Sequence, residues 1–159
     1  MRHFIKNLVE YDNLIDSFHA DHAPLPFCSA AIEGCVERGI EFNRGGAVYN
    51  TTSPLGVGPI TVGDSLAAVR KLVFREKKIS MAELREALKK NFEGGEPLRQ
   101  MLINRAPKFG NDIDEADELS NRVLRIFCDE LRLYTNRRGG PFVGRSEEHT
   151  SELQSPNTI

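Results

Sequence analysis

The feature that most constrains this chain is a loss of helical periodicity between residues 39 and 60. Before it, Phe4, Ile5, Leu8, Val9, Tyr11, Leu14, Ile15 and Phe18 recur at spacings of three and four. Such spacing puts apolar side chains on one face of a helix over residues 1–22. Pro24 and Pro26 stop that helix, because proline lacks the N–H and clashes with the preceding turn. A second helix is predicted over residues 27–38, with Ile32, Cys35 and Val36 inward and Gly39 as its stop. The pattern then breaks at Gly45, Gly46, Pro54, Gly56, Gly58 and Pro59. Irregular backbone is expected there, with room for a short extended piece at Ala47-Val48-Tyr49. Glycines of this kind let the chain turn tightly or approach another group closely.

Helical spacing resumes after the crossing. Thr61-Val62-Gly63-Asp64 reads as a capping box, and the helix continues through Leu66, Val69, Leu72 and Val73. Ser80-Met81-Ala82-Glu83 reads as a second box, opening a helix with Leu84, Ala87 and Leu88 inward and Gly94-Gly95 as its stop. Glu96-Pro97 starts another, since proline is tolerated in a first helical turn. It carries Leu98, Met101, Leu102 and Ile103 and ends near Pro107. Phe109-Gly110-Asn111-Asp112 is a turn into the longest predicted helix, whose apolar face is Ala116, Leu119, Val123, Ile126, Phe127, Leu131 and Tyr134. Asn136 to Gly140 closes it.

Composition narrows the function classes. The 159 residues are 40% hydrophobic and 28% charged, enough for one modest core. The net charge is −2, and no Lys/Arg run interleaved with aromatics argues for nucleic acid. No apolar stretch approaches the roughly 20 residues of a membrane span, and the N-terminus lacks signal-peptide features. Cys28, Cys35 and Cys128 form no CxxC pair, which argues against a zinc ribbon and fits a reducing cytoplasm.

The segment from Arg145 to Pro156 resembles the translation of a common DNA-sequencing adapter. Residues 145–159 are therefore expected to be a non-native, disordered tail. The tail holds one of the 21 basic residues and three of the 23 acidic ones, so the rest of the chain is charge-balanced. His149 and the Glu147/Glu148 pair are accordingly not read as a metal or acid–base site.

Several residues in the remaining chain could carry chemistry. Cys35 and Glu37 form a Cys-x-Glu, the pattern in which a thiol takes a hydrogen atom and a carboxylate moves a proton. In a helix, however, positions i and i+2 face different ways. Cys35 is therefore expected to be buried as a small apolar residue, with Glu37 exposed. Cys28 and Cys128 are expected in the core. His19 and His22 could share a metal, but no third ligand is evident and a solvated surface role is preferred. The Gly45-Gly46 and Gly56/Gly58 glycines lack the following Lys-Ser/Thr of a phosphate loop. Asp64 and Ser65 are expected to cap a helix, and Asp112, Asp114, Glu115, Asp117 and Glu118 to form a solvated acidic start to another. On these grounds no residue is assigned as catalytic, cofactor-binding or metal-ligating.

An ordered series of motifs goes further. It comprises Pro24-Leu25-Pro26-Phe27, Cys35-Val36-Glu37-Arg38-Gly39, Gly45-Gly46-Ala47-Val48-Tyr49-Asn50, and Asp64 to Phe74. It continues with Lys77 to Met81, Leu98 to Leu102, and Pro107-Lys108-Phe109-Gly110-Asn111-Asp112. The series resembles the pyruvate formate-lyase domain of glycyl radical enzymes over residues 1–144. The Gly-Gly-Ala-x-Tyr-Asn loop and the Cys-x-Glu-Arg-Gly segment resemble the branch of diol dehydratases, choline lyase and arylacetate decarboxylases. The resemblance implies an α/β fold, a fragment of a ten-stranded α/β barrel, here mainly its outer helices with one or two strands.

It also implies a chemistry. A glycyl radical, installed by a radical-SAM activase, passes to an active-site cysteine that abstracts hydrogen from a small substrate. A C–O, C–N or C–C bond then breaks. The full-length enzyme is expected to be a cytoplasmic homodimer, with no nucleic-acid or membrane partner. In the family the catalytic Cys-x-Glu is followed by Pro and lies far upstream of the glycine loop. Here Arg38-Gly39 follow, and the loop is close. Cys35 thus matches the family's other, helical segment, and the Arg-Val-x-Gly-Tyr-like radical motif is absent. The fragment is expected to bind no cofactor and to be inactive alone. Formate acetyltransferase proper and an autonomous helical interaction domain are the alternative readings.

Overall fold

The structure is a computed structural model and describes residues 1–147. The chain divides into two compact units. One comprises Met1–Leu55 with Ile126–Arg145, and the other is built on Gly56–Arg125.

In the first unit, α1 (Arg2–His22) forms as its periodicity predicts. Its apolar residues span too wide an arc for a single contact. Ile5 and Val9 pack with Leu131 and Phe142, flanked by Phe127 and Tyr134. Phe4, Tyr11, Leu14 and Phe18 face outward. The single helix predicted over residues 27–38 is instead two short ones, α2 (Pro26–Ala31) and α3 (Cys35–Arg38). Gly34 breaks it with φ of 96°, a left-handed conformation that glycine adopts without a Cβ clash. The break turns Val36 out to solvent.

The short extended piece for which residues 47–49 leave room does not form; a bend stands there. Extended backbone begins further on. Thr52 pairs with Phe142 in a parallel bridge, and β1 (Leu55–Val57) pairs with β2 (Arg145–Glu147). Residues 145–147 are thus placed in a strand where a disordered tail is expected from Arg145. The rest of that tail lies outside the described residues.

In the second unit, α4 (Pro59–Val69) starts three residues earlier than the capping box at residues 61–64 implies, with Gly58 rather than Thr61 at the N-cap. Pro59 takes the first turn, where its fixed φ suits a helix and its missing N–H costs nothing. Thr61 is then inside the helix, its carbonyl accepting the Ser65 hydroxyl at 2.7 Å. Asp64 points into the interior rather than capping. A π-helical turn, Arg70–Arg75, continues α4. It contributes Leu72 and Val73 to a core with Ala68, Leu84, Phe92, Leu102 and Ala106.

Two further helices complete that core. α5 (Met81–Lys89) opens with the predicted box: Ser80 Oγ accepts the Glu83 N–H at 3.1 Å, and the Glu83 carboxylate accepts the Ser80 N–H at 2.7 Å. The inward face is narrower than expected: Leu84 and Ala87 pack in the core with Phe92, and Leu88 is exposed. α6 (Glu96–Arg105) begins at Glu96-Pro97 as its sequence indicates. α7 (Asp114–Leu131) has 18 residues and is second in length to α1, which has 21.

The Ser80 box supplies a first prediction. Ser80→Ala should lower stability by about 1 kcal/mol, the usual cost of losing a side-chain cap. The Ser80 N–H holds the Glu83 carboxyl below its ordinary value. A carboxyl depressed in the folded state stabilises above its unfolded pKa and loses that contribution as pH falls through its folded pKa. Urea midpoints measured from neutral to acid pH should therefore fall less steeply for Glu83→Gln than for the parent. Equal acid limbs would remove Glu83 from the account.

Candidate functional site

The residues with most chemical promise converge in the first unit, around α3 and the glycine-rich loop. Cys35 is 3% exposed, its thiol closed in at the start of α3. The backbone of Gly46 lies against it: a Cβ at Gly46 would stand 3.1 Å from Cys35 Sγ and inside contact distance of the Ile40 carbonyl. Glu37 does not turn to the thiol. Its carboxylate accepts the Gly34 N–H at 3.0 Å, which stabilises the start of the same short helix. Burial of Cys35 and exposure of Glu37 are as the helical reading predicts.

The loop is held by backbone-directed bonds. Arg38 donates to the Ala47 carbonyl at 2.9 Å. Asn50 donates to the same carbonyl at 2.9 Å and to that of Gly45 at 3.2 Å. The Asn50 carbonyl in turn accepts from Asn136 at 2.5 Å, and Asn136 also donates to Thr52 Oγ1 at 2.9 Å. Asn136 Oδ1 accepts the Gly140 N–H at 2.8 Å, so one buried side chain closes its own turn and fixes the loop opposite. Arg138 reinforces this with a bond to Thr52 Oγ1 at 3.1 Å and an ion pair to Asp16 at 2.5 Å.

Neither Asn136 nor Arg138 stands out in the sequence, where Asn136 marks only the end of a helix. The available signal was local. Asn followed by Gly139-Gly140 is the composition of a turn closed by an Asn side chain.

Beside Cys35 lies a crevice of about 270 Å³ lined by Pro26, Ser29, Ala30, Val36, Gly39, Ile40 and Glu41. Its one carboxylate is committed: Glu41 accepts the N–H groups of Leu25 at 2.9 Å and Asn43 at 2.7 Å. Among the described residues, no carboxylate of this crevice is therefore free to meet the thiol.

The other candidates separate. Cys28, on the six-residue α2, is exposed and not in the core as expected. Cys128 is half-buried behind Gly144. His19 and His22 sit exposed in the last turn of α1. Among the described residues no three His, Cys, Asp or Glu side chains are grouped to hold a metal. No described helix is long and apolar enough to cross a membrane.

The acidic start of α7 is less solvated than expected. Glu115 is ion-paired to Arg75 at 2.6 Å and Arg70 at 3.4 Å. Asp64, expected to cap, is fully buried and accepts the Phe109 N–H at 2.8 Å, with Lys108 Nζ 3.9 Å away.

Comparison with known proteins places this geometry. The sequence model described as pyruvate formate lyase-like matches residues 1–147. The probable dehydratase YbiW of Escherichia coli (strain K12) is 38% identical over 159 residues, covering 98% of this chain and 20% of its own length. The glycerol-bound, B12-independent glycerol dehydratase of Clostridium butyricum superposes with a TM-score of 0.83 at 46% identity, covering 91% of this chain and 18% of that one. A glycyl radical enzyme from Archaeoglobus fulgidus superposes with a TM-score of 0.81 at 38% identity, covering 90% and 18%. The chain thus spans about a fifth of the length of the proteins it matches.

Proposed function

Since this chain belongs to the pyruvate formate lyase-like family of glycyl radical enzymes, we propose that it is the scaffold segment of a radical dehydratase or lyase. The parent enzyme would cleave a C–O, C–N or C–C bond of a small substrate by thiyl-radical chemistry. The observation that carries the scaffold assignment is the corner at Cys35, where the thiol is buried under Gly46 and the Glu37 carboxylate is engaged by Gly34. These residues do not fit a radical relay, so no step of the reaction is routed through them. The dehydratase names of the similar proteins favour C–O cleavage over formate acetyltransferase chemistry.

In this reading the segment supplies outer helices and the 52–57/141–147 strand pair of a ten-stranded α/β barrel. The radical cysteine and radical glycine belong to other parts of the parent. A radical-SAM activase, a homodimeric assembly and a cytoplasmic setting go with that parent. Residues 148–159 are read as the remainder of the non-native tail.

The test uses the chain itself. After treatment with an activase of the family under anaerobic conditions, it should show no glycyl EPR signal. A thiol reagent should label Cys28 fast and Cys35 slowest. A glycyl doublet, or Cys35 reacting as fast as Cys28, overturns the scaffold assignment.

The rival reading, an autonomous interaction domain, differs in what it makes of α1. Phe4, Tyr11, Leu14 and Phe18 are 59–75% exposed along its outer face. A scaffold segment leaves such a face for the rest of its barrel to cover. The chain should accordingly bind an apolar dye, and replacing Phe4, Tyr11 and Phe18 together by Ser should abolish most of that binding with helix content retained. Absence of dye binding by the parent chain would favour the rival.

A further inference from the structure

We propose that the first unit holds an anion site, a pocket fitted to a small oxyanion such as inorganic phosphate or sulfate. The pocket has a volume of about 240 Å³ and is lined by Ala20, Asn43, Arg44, Arg137 and Arg138. Three of those five residues are arginines, and no acidic residue contributes to the lining. The volume lies below the roughly 300–1,000 Å³ of pockets that enclose drug-sized ligands and suits a small ion with a few waters.

The three arginines are set differently. Arg44 donates to the Ala20 carbonyl at 3.0 Å and stands 3.5 Å from Asp21, which fixes it at the end of α1. Arg138 is nine-tenths buried, with its Nη atoms engaged by Asp16 and Thr52 and its guanidinium 5.9 Å from the Phe42 ring centroid. Its Nε is buried and makes no hydrogen bond. Arg137 is held through its backbone, whose N–H donates to Asn13 Oδ1 at 2.8 Å. Its side chain makes no ion pair among the described residues.

Charge and geometry agree on the ligand. Asp16 and Asp21 offset two of the three cations, leaving one positive charge over the pocket. A buried donor without a partner carries a desolvation penalty that an acceptor would relieve. Guanidinium groups present paired donors that match the oxygens of phosphate or sulfate. Asn43, itself buried, is anchored through the Glu41 carboxylate at 2.7 and 3.3 Å, which keeps that carboxylate occupied.

The whole chain would be titrated with inorganic phosphate, and separately with sulfate, while the Arg Nε–Hε resonances are followed by NMR. One-site saturable shifts at Arg138 and Arg137 are expected, and Arg137→Gln should weaken them about tenfold, the size of one charge-assisted hydrogen bond. Arg85→Gln, an exposed change on α5, should leave them intact. The proposal is overturned if chloride at equal ionic strength gives the same shifts. It is also overturned if the two variants weaken binding equally, or if no saturable shift is seen.

Discussion

Gly46→Ala should cost the first unit about 3 kcal/mol, at the upper end of what overpacking a well-filled site costs. The added Cβ would meet the Ile40 carbonyl inside contact distance and Cys35 Sγ at 3.1 Å. The nearest obstacle is backbone, which cannot swing away as a flexible side chain could. Removing the thiol therefore gives no relief: Cys35→Ala in the Gly46→Ala background should restore little. Gly39→Ala is the control. Gly39 has φ of 62° and open space around its Cα, so alanine there costs only the left-handed backbone penalty of about 1 kcal/mol. Urea denaturation of the three variants measures the difference. A Gly46→Ala midpoint no lower than that of Gly39→Ala would mean that the loop does not pack on α3 as described.

The same corner shows what the sequence conveyed and what it did not. The burial of Cys35 is legible from local spacing, because burial of a small apolar residue depends on its immediate neighbours. The break at Gly34 did not follow. A glycine within an apolar run is compatible with a continuous helix or with a turn, and only the seating of Glu37 against the Gly34 N–H distinguishes them. The Ser80–Glu83 box was legible because both partners lie within four residues. The Thr61–Asp64 box has the same spacing of hydroxyl and acid and does not form, because Pro59 has already started the helix and Asp64 lies inside. Gly139-Gly140 marks the turn at Asn136, but the long-range roles of Asn136 and Arg138 are not legible, for a further reason. Their partners Asn50, Thr52 and Asp16 lie more than eighty residues away, and no periodicity reports a contact at that separation.

Asp64→Ala should be the most costly change in the second unit, lowering its stability by about 3 kcal/mol or more. Asp64 is fully buried, and its Oδ1 accepts the Phe109 N–H at 2.8 Å. Lys108 Nζ, shielded from water and without a hydrogen bond, lies 3.9 Å from Oδ2, an ion pair at the limit of contact. Truncation would strand both the amide and the ammonium in a place water does not reach, and breaking a buried pair from one side is what makes such pairs expensive. Asp64→Asn keeps an acceptor for Phe109 and should recover part of the loss. Adding Lys108→Met to Asp64→Ala removes the stranded cation, so the double variant should be more stable than Asp64→Ala alone. That sign separates an electrostatic cost from a cavity cost. A cavity would be untouched by the change at Lys108, and strictly additive losses in the double-mutant cycle would show that the pair at 3.9 Å does not couple.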